Sequence, residues 1–165
     1  MVRDATESDF GAIVRLNLEW EHFMSAMGLE RLRQLHAQSA YCRVVDEPEA
    51  GVAAFLLAFR EGSAYDSENY RWFAGRHESF LYIDRIAVAK SRQGKGLGKQ
   101  LYEDLFRFAR EHHVPRITCE FDIEPANEVS ARFHARFGFR EVGSRSVSYA
   151  DKRVAMQEAS SGAMP

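Results

Sequence analysis

Cysteine is scarce in this chain, at two residues, Cys42 and Cys119, and neither stands in a CxxC or Cys/His spacing. That excludes a disulfide framework and a thiolate zinc site, and it points to buried free thiols in a reducing cytoplasm. A basic surplus is missing too. The formal net charge is −2, whereas general nucleic-acid binding needs a strongly cationic face. No stretch approaches the ~20 apolar residues of a membrane span. The first residues carry no apolar run suited to a secretory signal. The six histidines lack metal-ligand spacing. His112 and His113 are adjacent, and neighbours on a helix point in different directions. The expectation is therefore a cytoplasmic protein with no metal, no nucleic-acid partner and no membrane partner.

What is present reads as one globular domain. The chain has 165 residues, 45% apolar and 28% charged, enough to bury a core and too apolar for wholesale disorder. Val2 to Asp4 reads as a short strand. Thr6 then caps a helix running into Trp20, with Asp9 as its capping partner. Leu29, Leu32, Leu35 and Ala40 mark a second helix. Tyr41 to Asp46 and Val52 to Phe59 read as strands joined by the turn Glu47-Pro48-Glu49-Ala50-Gly51. Residues 60 to 78 read as a long polar and aromatic loop, of a length more often functional than idle. Phe80 to Val88 is apolar at most positions, as in a strand covered on both faces. After a glycine-rich segment, Leu97, Leu101, Leu105 and Phe108 keep helical spacing to about His113, and Pro115 ends the run. Arg116 to Asp122 is a further strand. Asn127 to Phe137 is a helix closed by Gly138. Phe139 to Val142 and Ser146 to Met156 are the last strands. The order of elements gives the α/β (α+β) class with one central sheet.

The strongest signal lies between Val88 and Leu101. Gly94, Gly96 and Gly98 follow a buried strand and open an amphipathic helix. Glycine lets backbone amides approach a ligand and tolerates positive φ. The first amides of a helix lack internal partners, and the dipole adds partial positive charge there, so the segment suits a phosphate. Lys90, Arg92, Lys95 and Lys99 flank it, with no acidic residue among them. A Walker A loop is excluded, because Gly98-Lys99 is followed by Gln100 and Gln93 stands where its first glycine belongs. A dinucleotide fingerprint is excluded as well, since the pattern is GxGxG and sits deep in the chain.

The spacing of Gln93, Gly96 and Gly98 resembles the [Gln/Arg]-x-x-Gly-x-[Gly/Ala] loop of the GNAT acetyltransferases. The preceding strand end Ile86-Ala87-Val88 is similar to that family, and so is the later run Asn127-x-x-Ser130-x-x-Phe133-x-x-x-x-Gly138-Phe139. The opening Val2-Arg3-Asp4-Ala5-Thr6-Glu7-Ser8-Asp9 fits as well. The resemblance extends to about Met156, with its specificity mainly in residues 80 to 139. It implies a central, mostly antiparallel mixed sheet of six to seven strands flanked by about four helices. It also implies a single domain over residues 1–157 and a disordered tail over 158–165.

The resemblance further implies an acetyl-CoA-dependent N-acetyltransferase acting on an amine, most simply that of a small molecule. The amides of Gln93, Gly94, Lys95, Gly96, Leu97, Gly98 and Lys99 would hold the pyrophosphate. The strand end Ile86-Ala87-Val88 would pair with the pantetheine arm through Ile86 and Val88, and the Val88 amide would face the acetyl carbonyl. Asn127, Ser130, Phe133 and His134 would lie on the cofactor side of their helix, with Val129, Phe133 and Phe137 as an apolar stripe. A general base is needed. Glu120 is the first candidate, Asp84 the second, and Asp122 and Glu124 are weaker. Two residues more than in the family pattern separate Glu120 from Asn127. His134 stands where many members carry a tyrosine, a Phe-His pairing similar to a small, poorly characterised bacterial-type branch. A histidine there is either a general acid for the leaving thiolate or a hydrogen-bonded structural residue. In the family, two segments line the acceptor pocket. Here they hold Trp20, His22, Phe23 and Met24, then Tyr65, Tyr70, Arg71, Trp72 and Phe73. Arg71 or Arg76 would grip a carboxylate. Packing of the loop, or a homodimer contact, is the alternative use of those aromatics. Two other functions remain open, a non-catalytic acyl-CoA sensor and a protein or peptide N-acetyltransferase.

Overall fold

The computed structural model describes residues 1–163 and divides into two compact units. The first comprises Met1–Tyr65 and Ile83–Leu105, the second Asp66–Tyr82 and Phe106–Pro165. Seven strands share the hydrogen-bonded order β1-β2-β3-β4-β5-β7-β6, so the mixed α/β class and the seven-strand count are as expected.

In the first unit, β1 (Val2–Asp4), β2 (Tyr41–Glu47) and β3 (Gly51–Arg60) form an antiparallel ladder in which Val44 stands opposite Phe55. Every β3 residue from Ala53 to Phe59 is buried, because the unbroken apolar run leaves no face for water. Helix α1 (Phe10–Glu19) packs on β3 and buries Ile13 and Leu16, and α2 (Leu29–Gln38) buries Leu32 and Leu35. A short 3-10 turn, Glu7–Asp9, precedes α1. Its capping pair forms as read: the Thr6 amide donates to the Asp9 carboxylate at 2.8 Å. That carboxylate also takes two bonds from Arg3, at 2.7 and 2.8 Å, which hold its pKa far below the usual range.

Strand β4 (Leu81–Val88) and helix α4 (Leu97–Glu111) run through both units. In the second unit, Leu81 and Tyr82 pair in parallel with Ile117 and Thr118 of β5 (Arg116–Glu124). The strands β6 (Arg140–Ser146) and β7 (Arg153–Ser160) complete an antiparallel β5-β7-β6 ladder. Helix α5 spans Glu128–Ala135. Gly138, at φ 79°, closes it, and the Phe139 amide returns to the His134 carbonyl at 3.3 Å.

Three expectations need correction. The expected loop of residues 60 to 78 contains a helix, α3 (Glu68–Ala74), capped by the Ser67 hydroxyl accepting from the Tyr70 amide. The helices therefore number five among the described residues, in keeping with the expected four or so. The last strand lies at Arg153–Ser160, not 146 to 156, because residues 147–152 turn the β6–β7 hairpin. The expected tail from residue 158 accordingly begins as strand. Ser161 is buried, and its amide bonds the Pro115 carbonyl at 3.0 Å. Residues 164 and 165 of that tail lie outside the described residues.

Candidate active site

The first unit carries the loop. Along the end of β4, Ala87 is buried while Ile86 and Val88 are half-buried. A 3-10 turn, Lys90–Arg92, follows, and then Gly94 at φ 78° and Gly96 at φ 77°. Those angles lie in the left-handed region that only glycine enters without strain. A Cβ built on either glycine meets no atom within 4 Å, so the backbone there faces open space. Buried Leu97 anchors the start of α4. The first intrahelical bond runs from the Gln100 amide to the Gly96 carbonyl at 3.0 Å. The amides of Leu97, Gly98 and Lys99 are therefore spare, at the positive end of a 15-residue helix. Glycine backbone with room beside it, plus spare amides, fits the diphosphate of acetyl-CoA.

The loop's cations are partly balanced from other elements, which its own composition did not show. Glu47 of β2 pairs with Arg92 at 3.1 Å and Lys95 at 4.0 Å, and Lys99 pairs with Glu103 at 3.5 Å. The Glu19 carboxylate accepts the Lys90 amide at 2.8 Å.

Two sequence candidates in this unit are otherwise engaged. Trp20 donates its indole Nε1–H to the Val88 carbonyl at 2.8 Å, tying the end of α1 to the end of β4. The Asp84 carboxylate is buried between the Arg85 guanidinium, at 2.6 Å, and the Tyr65 hydroxyl, at 2.5 Å. Arg85 also donates to Asn17 at 2.9 Å and to the Ser25 carbonyl at 3.1 Å. Both oxygens of that carboxylate are thus committed to partners within this cluster. His22 is exposed in the turn after α1.

The second unit carries Glu120. It stands in the regular part of β5 opposite Met156, upstream of the register shift between Asp122 and Glu124. This shift and the Ile123–Ala126 bridge lie between Glu120 and Asn127. Oε1 of Glu120 accepts from Tyr82 Oη at 2.9 Å and from Asn69 Nδ2 at 3.1 Å. The Asn69 amide nitrogen also reaches Tyr149 Oη at 3.4 Å. Sequence reasoning missed Asn69, Tyr82 and Tyr149. Of the weaker bases, Asp122 pairs with Lys152 at 3.1 Å, and Glu124 is exposed.

The polar trio on α5 is consumed locally. Asn127 caps the helix, its Oδ1 accepting from the Ser130 amide at 3.1 Å. His134 places Nδ1 at 2.7 Å from the Ser130 carbonyl, so that nitrogen carries the proton. Phe121, Phe133 and Phe139 surround its ring at centroid distances of 5.2 to 5.7 Å. Burial lowers the histidine's pKa, and the bond to Ser130 offsets this only in part. The ring is neutral at pH 7, with its one proton committed to the backbone. Val129, expected in an apolar core stripe, is 71% exposed, while Phe137 is buried.

The expected acceptor aromatics of α3 make packing contacts within their own unit. Tyr70 is 2% exposed and packs against Phe80 and Tyr82. Trp72 lies against Gly143 of β6, where a Cβ would stand 2.9 Å from the indole, and Arg76 stacks 3.5 Å from its ring centroid. Arg71 is exposed. The two thiols are buried and free. Burial pushes Cys42 up to about 12 and Cys119 well above the ordinary thiol value.

Residues 9–139 match the model of the acetyltransferase (GNAT) family. The chain belongs to that family. It is 43% identical over 58 residues to phosphinothricin N-acetyltransferase of Streptomyces coelicolor, a match covering 35% of this chain. It spans about a third of that relative's length, 33%. Among solved structures it is similar to Ard1 of Thermoplasma volcanium, at a TM-score of 0.77 and 15% identity, over 97% of this chain and 96% of that one. The ribosomal-protein-alanine N-acetyltransferase of Brucella melitensis gives 0.73 at 20% identity, over 97% and 99%. The acetyl-CoA complex of yncA, a putative acetyltransferase from Salmonella typhimurium, gives 0.72 at 20%, over 97% and 92%. At these identities the structures share the fold. Among the described residues no helix is long and apolar enough to cross a membrane, and no group of three or more His, Cys, Asp or Glu side chains is placed to hold a metal.

Proposed function

We propose that the chain is a cytoplasmic N-acetyltransferase that moves the acetyl group of acetyl-CoA onto the amine of a small acceptor, with the expected single domain of residues 1–157 carrying the activity. The supporting observation is the pair of left-handed glycines, Gly94 and Gly96, at the head of α4. The cofactor supplies an acetyl group activated as a thioester. The amides of Gly96 to Lys99 bind its diphosphate, and the end of β4 aligns its arm. Glu120 takes the proton from the attacking amine, directly or through a water. Holding both reactants oriented supplies much of the rate gain. The test is release of free thiol from acetyl-CoA against a panel of amino acids, polyamines, aminoglycosides and short peptides. Turnover with at least one amine supports the reading. Cofactor binding without turnover across the panel favours a non-catalytic acyl-CoA sensor instead.

His134 has a structural role in this reading. Its folded pKa lies below the unfolded value of about 6.5. The unfolded chain therefore binds the proton more readily, and this residue costs the fold stability as pH falls below about 6.5. His134→Asn retains an N–H near the Nδ1 position. Urea melts between pH 7.5 and 5 should show a shallower acid loss in that variant, with kcat within a few-fold of the unmodified protein. A drop of 100-fold or more in kcat, about the size of a lost general acid, would instead return the histidine to the mechanism.

A further inference from the structure

We infer that Asn69 is a positioning residue for Glu120 and Tyr149, and that a chain of fixed hydrogen bonds from the β6–β7 turn dictates which way its amide faces. Asn69 is 2% exposed. Its Oδ1 accepts from Arg145 Nη1 at 2.7 Å. A guanidinium only donates, so the Asn69 oxygen must face Arg145 and the NH2 group must face the other way. The two donors of that group then meet Glu120 Oε1 at 3.1 Å and Tyr149 Oη at 3.4 Å.

Arg145 is itself held. Its Nη2 pairs with Glu68 Oε2 at 3.3 Å. The Glu68 carboxylate accepts the Ser148 amide at 2.7 Å and the Ser148 hydroxyl at 3.0 Å. Glu68 and Asn69 are neighbours in α3, while Arg145 is the penultimate residue of β6 and Ser148 lies in the turn beyond it. One helix turn and one hairpin turn thus lock each other, and Asn69 carries the result to Glu120.

The arrangement orders the donors. Tyr149 uses its oxygen as acceptor for Asn69, which directs its own proton elsewhere, and the residue as a whole is 60% exposed. The Tyr149 pKa is raised, by burial of its hydroxyl first and then by the Glu120 charge; the Asn69 hydrogen bond opposes this, the Glu68 and Asp122 charges add to it, and the phenol stays a protonated donor through neutral pH. Among the groups facing Glu120 are Tyr82 from β4, Asn69 from α3 and Tyr149 from the hairpin turn, with Cys119 beside it on β5. Near it, Lys152 pairs with Asp122 at 3.1 Å and Arg145 with Glu68 at 3.3 Å, which reduces but does not remove the negative charge that the Tyr149 hydroxyl meets. Asn69 fixes one carboxylate oxygen and leaves the phenol as a donor beside it, a pairing suited to accepting a proton from an amine while hydrogen-bonding the acceptor.

This inference rests on Glu120 as the base, and the test separates the two. The Glu120 carboxyl is titrated by 13C NMR in the intact protein, without any acceptor, its signal identified by its loss in Glu120→Gln. In Asn69→Leu the carboxylate loses a donor. In Asn69→Asp, Arg145 still holds one oxygen, and the other oxygen turns a negative charge toward Glu120. The expected result is an upward shift of the Glu120 titration in both variants, by roughly one pH unit or more in the aspartate. Asn69→Asp is the nearly isosteric variant and keeps the test open should the leucine variant fail to fold. A Glu120 titration at the unmodified value in either folded variant overturns the inference. Failure of the Glu120 reading shows separately, as full turnover in Glu120→Gln.

Discussion

Gly96→Glu abolishes acetyl-CoA binding at concentrations that saturate the unmodified protein. Gly96 sits at φ 77° with no atom within 4 Å of a built Cβ. The new side chain therefore meets no steric block and carries about 1–2 kcal/mol of backbone strain. A carboxylate at the head of α4 is tolerated by the helix, since it faces the positive end of the dipole. The protein should stay folded, and the damage should fall on the ligand. A unit negative charge about 4 Å from a phosphate costs about 4 kcal/mol at an effective dielectric of 20, about a thousandfold in affinity, less whatever salt screens. Calorimetric titration with CoA reads this directly. Gly96→Ala carries only the strain and should lose about tenfold. Equal losses in the two variants would show that strain, not charge at an anion site, governs the position.

Glu120→Gln lowers kcat/KM by about 10²- to 10⁴-fold, the usual worth of a positioned general base. The substitution conserves shape and still accepts from Tyr82 through its amide oxygen, so folding should change little. It removes the one group in the Tyr82–Asn69–Tyr149 cluster able to take a proton. The unmodified enzyme should lose activity as pH falls through the Glu120 titration, and the variant should lack that limb. CoA affinity should be unchanged, because the charge removed belongs to the amine side of the reaction. A variant with full turnover and an unaltered pH profile would remove Glu120 from the mechanism. Asp84 would not replace it, given its bond to Arg85 at 2.6 Å.

The parts legible in the sequence are those where local chemistry decides. The apolar run of β4, the glycines at 94 and 96 and the apolar face of α4 are each readable over a short window, and each is found where expected. The Thr6–Asp9 cap formed for the same reason. Helix α3 was missed because it is only seven residues long, under two helical turns, too short to show a helical period within a polar segment. The cue was Ser67 as a cap followed by Glu68 in the first turn. The partners of Glu120 were missed because they come from 38 and 51 residues away in the chain, and nothing local announces such a pairing. On α5 the spacing of Asn127, Ser130 and His134 suggested one functional face. Helix capping and a backbone hydrogen bond claim those groups first, and burial then keeps the histidine neutral.

The account turns on main-chain amides at the head of α4 holding a diphosphate. A 1H–15N correlation spectrum recorded during CoA titration reads those amides one by one. The largest shifts should fall on Gly94, Gly96, Leu97, Gly98 and Lys99, saturating with the calorimetric affinity. Saturating CoA that leaves these five unmoved, with its largest shifts elsewhere in the chain, would contradict the account.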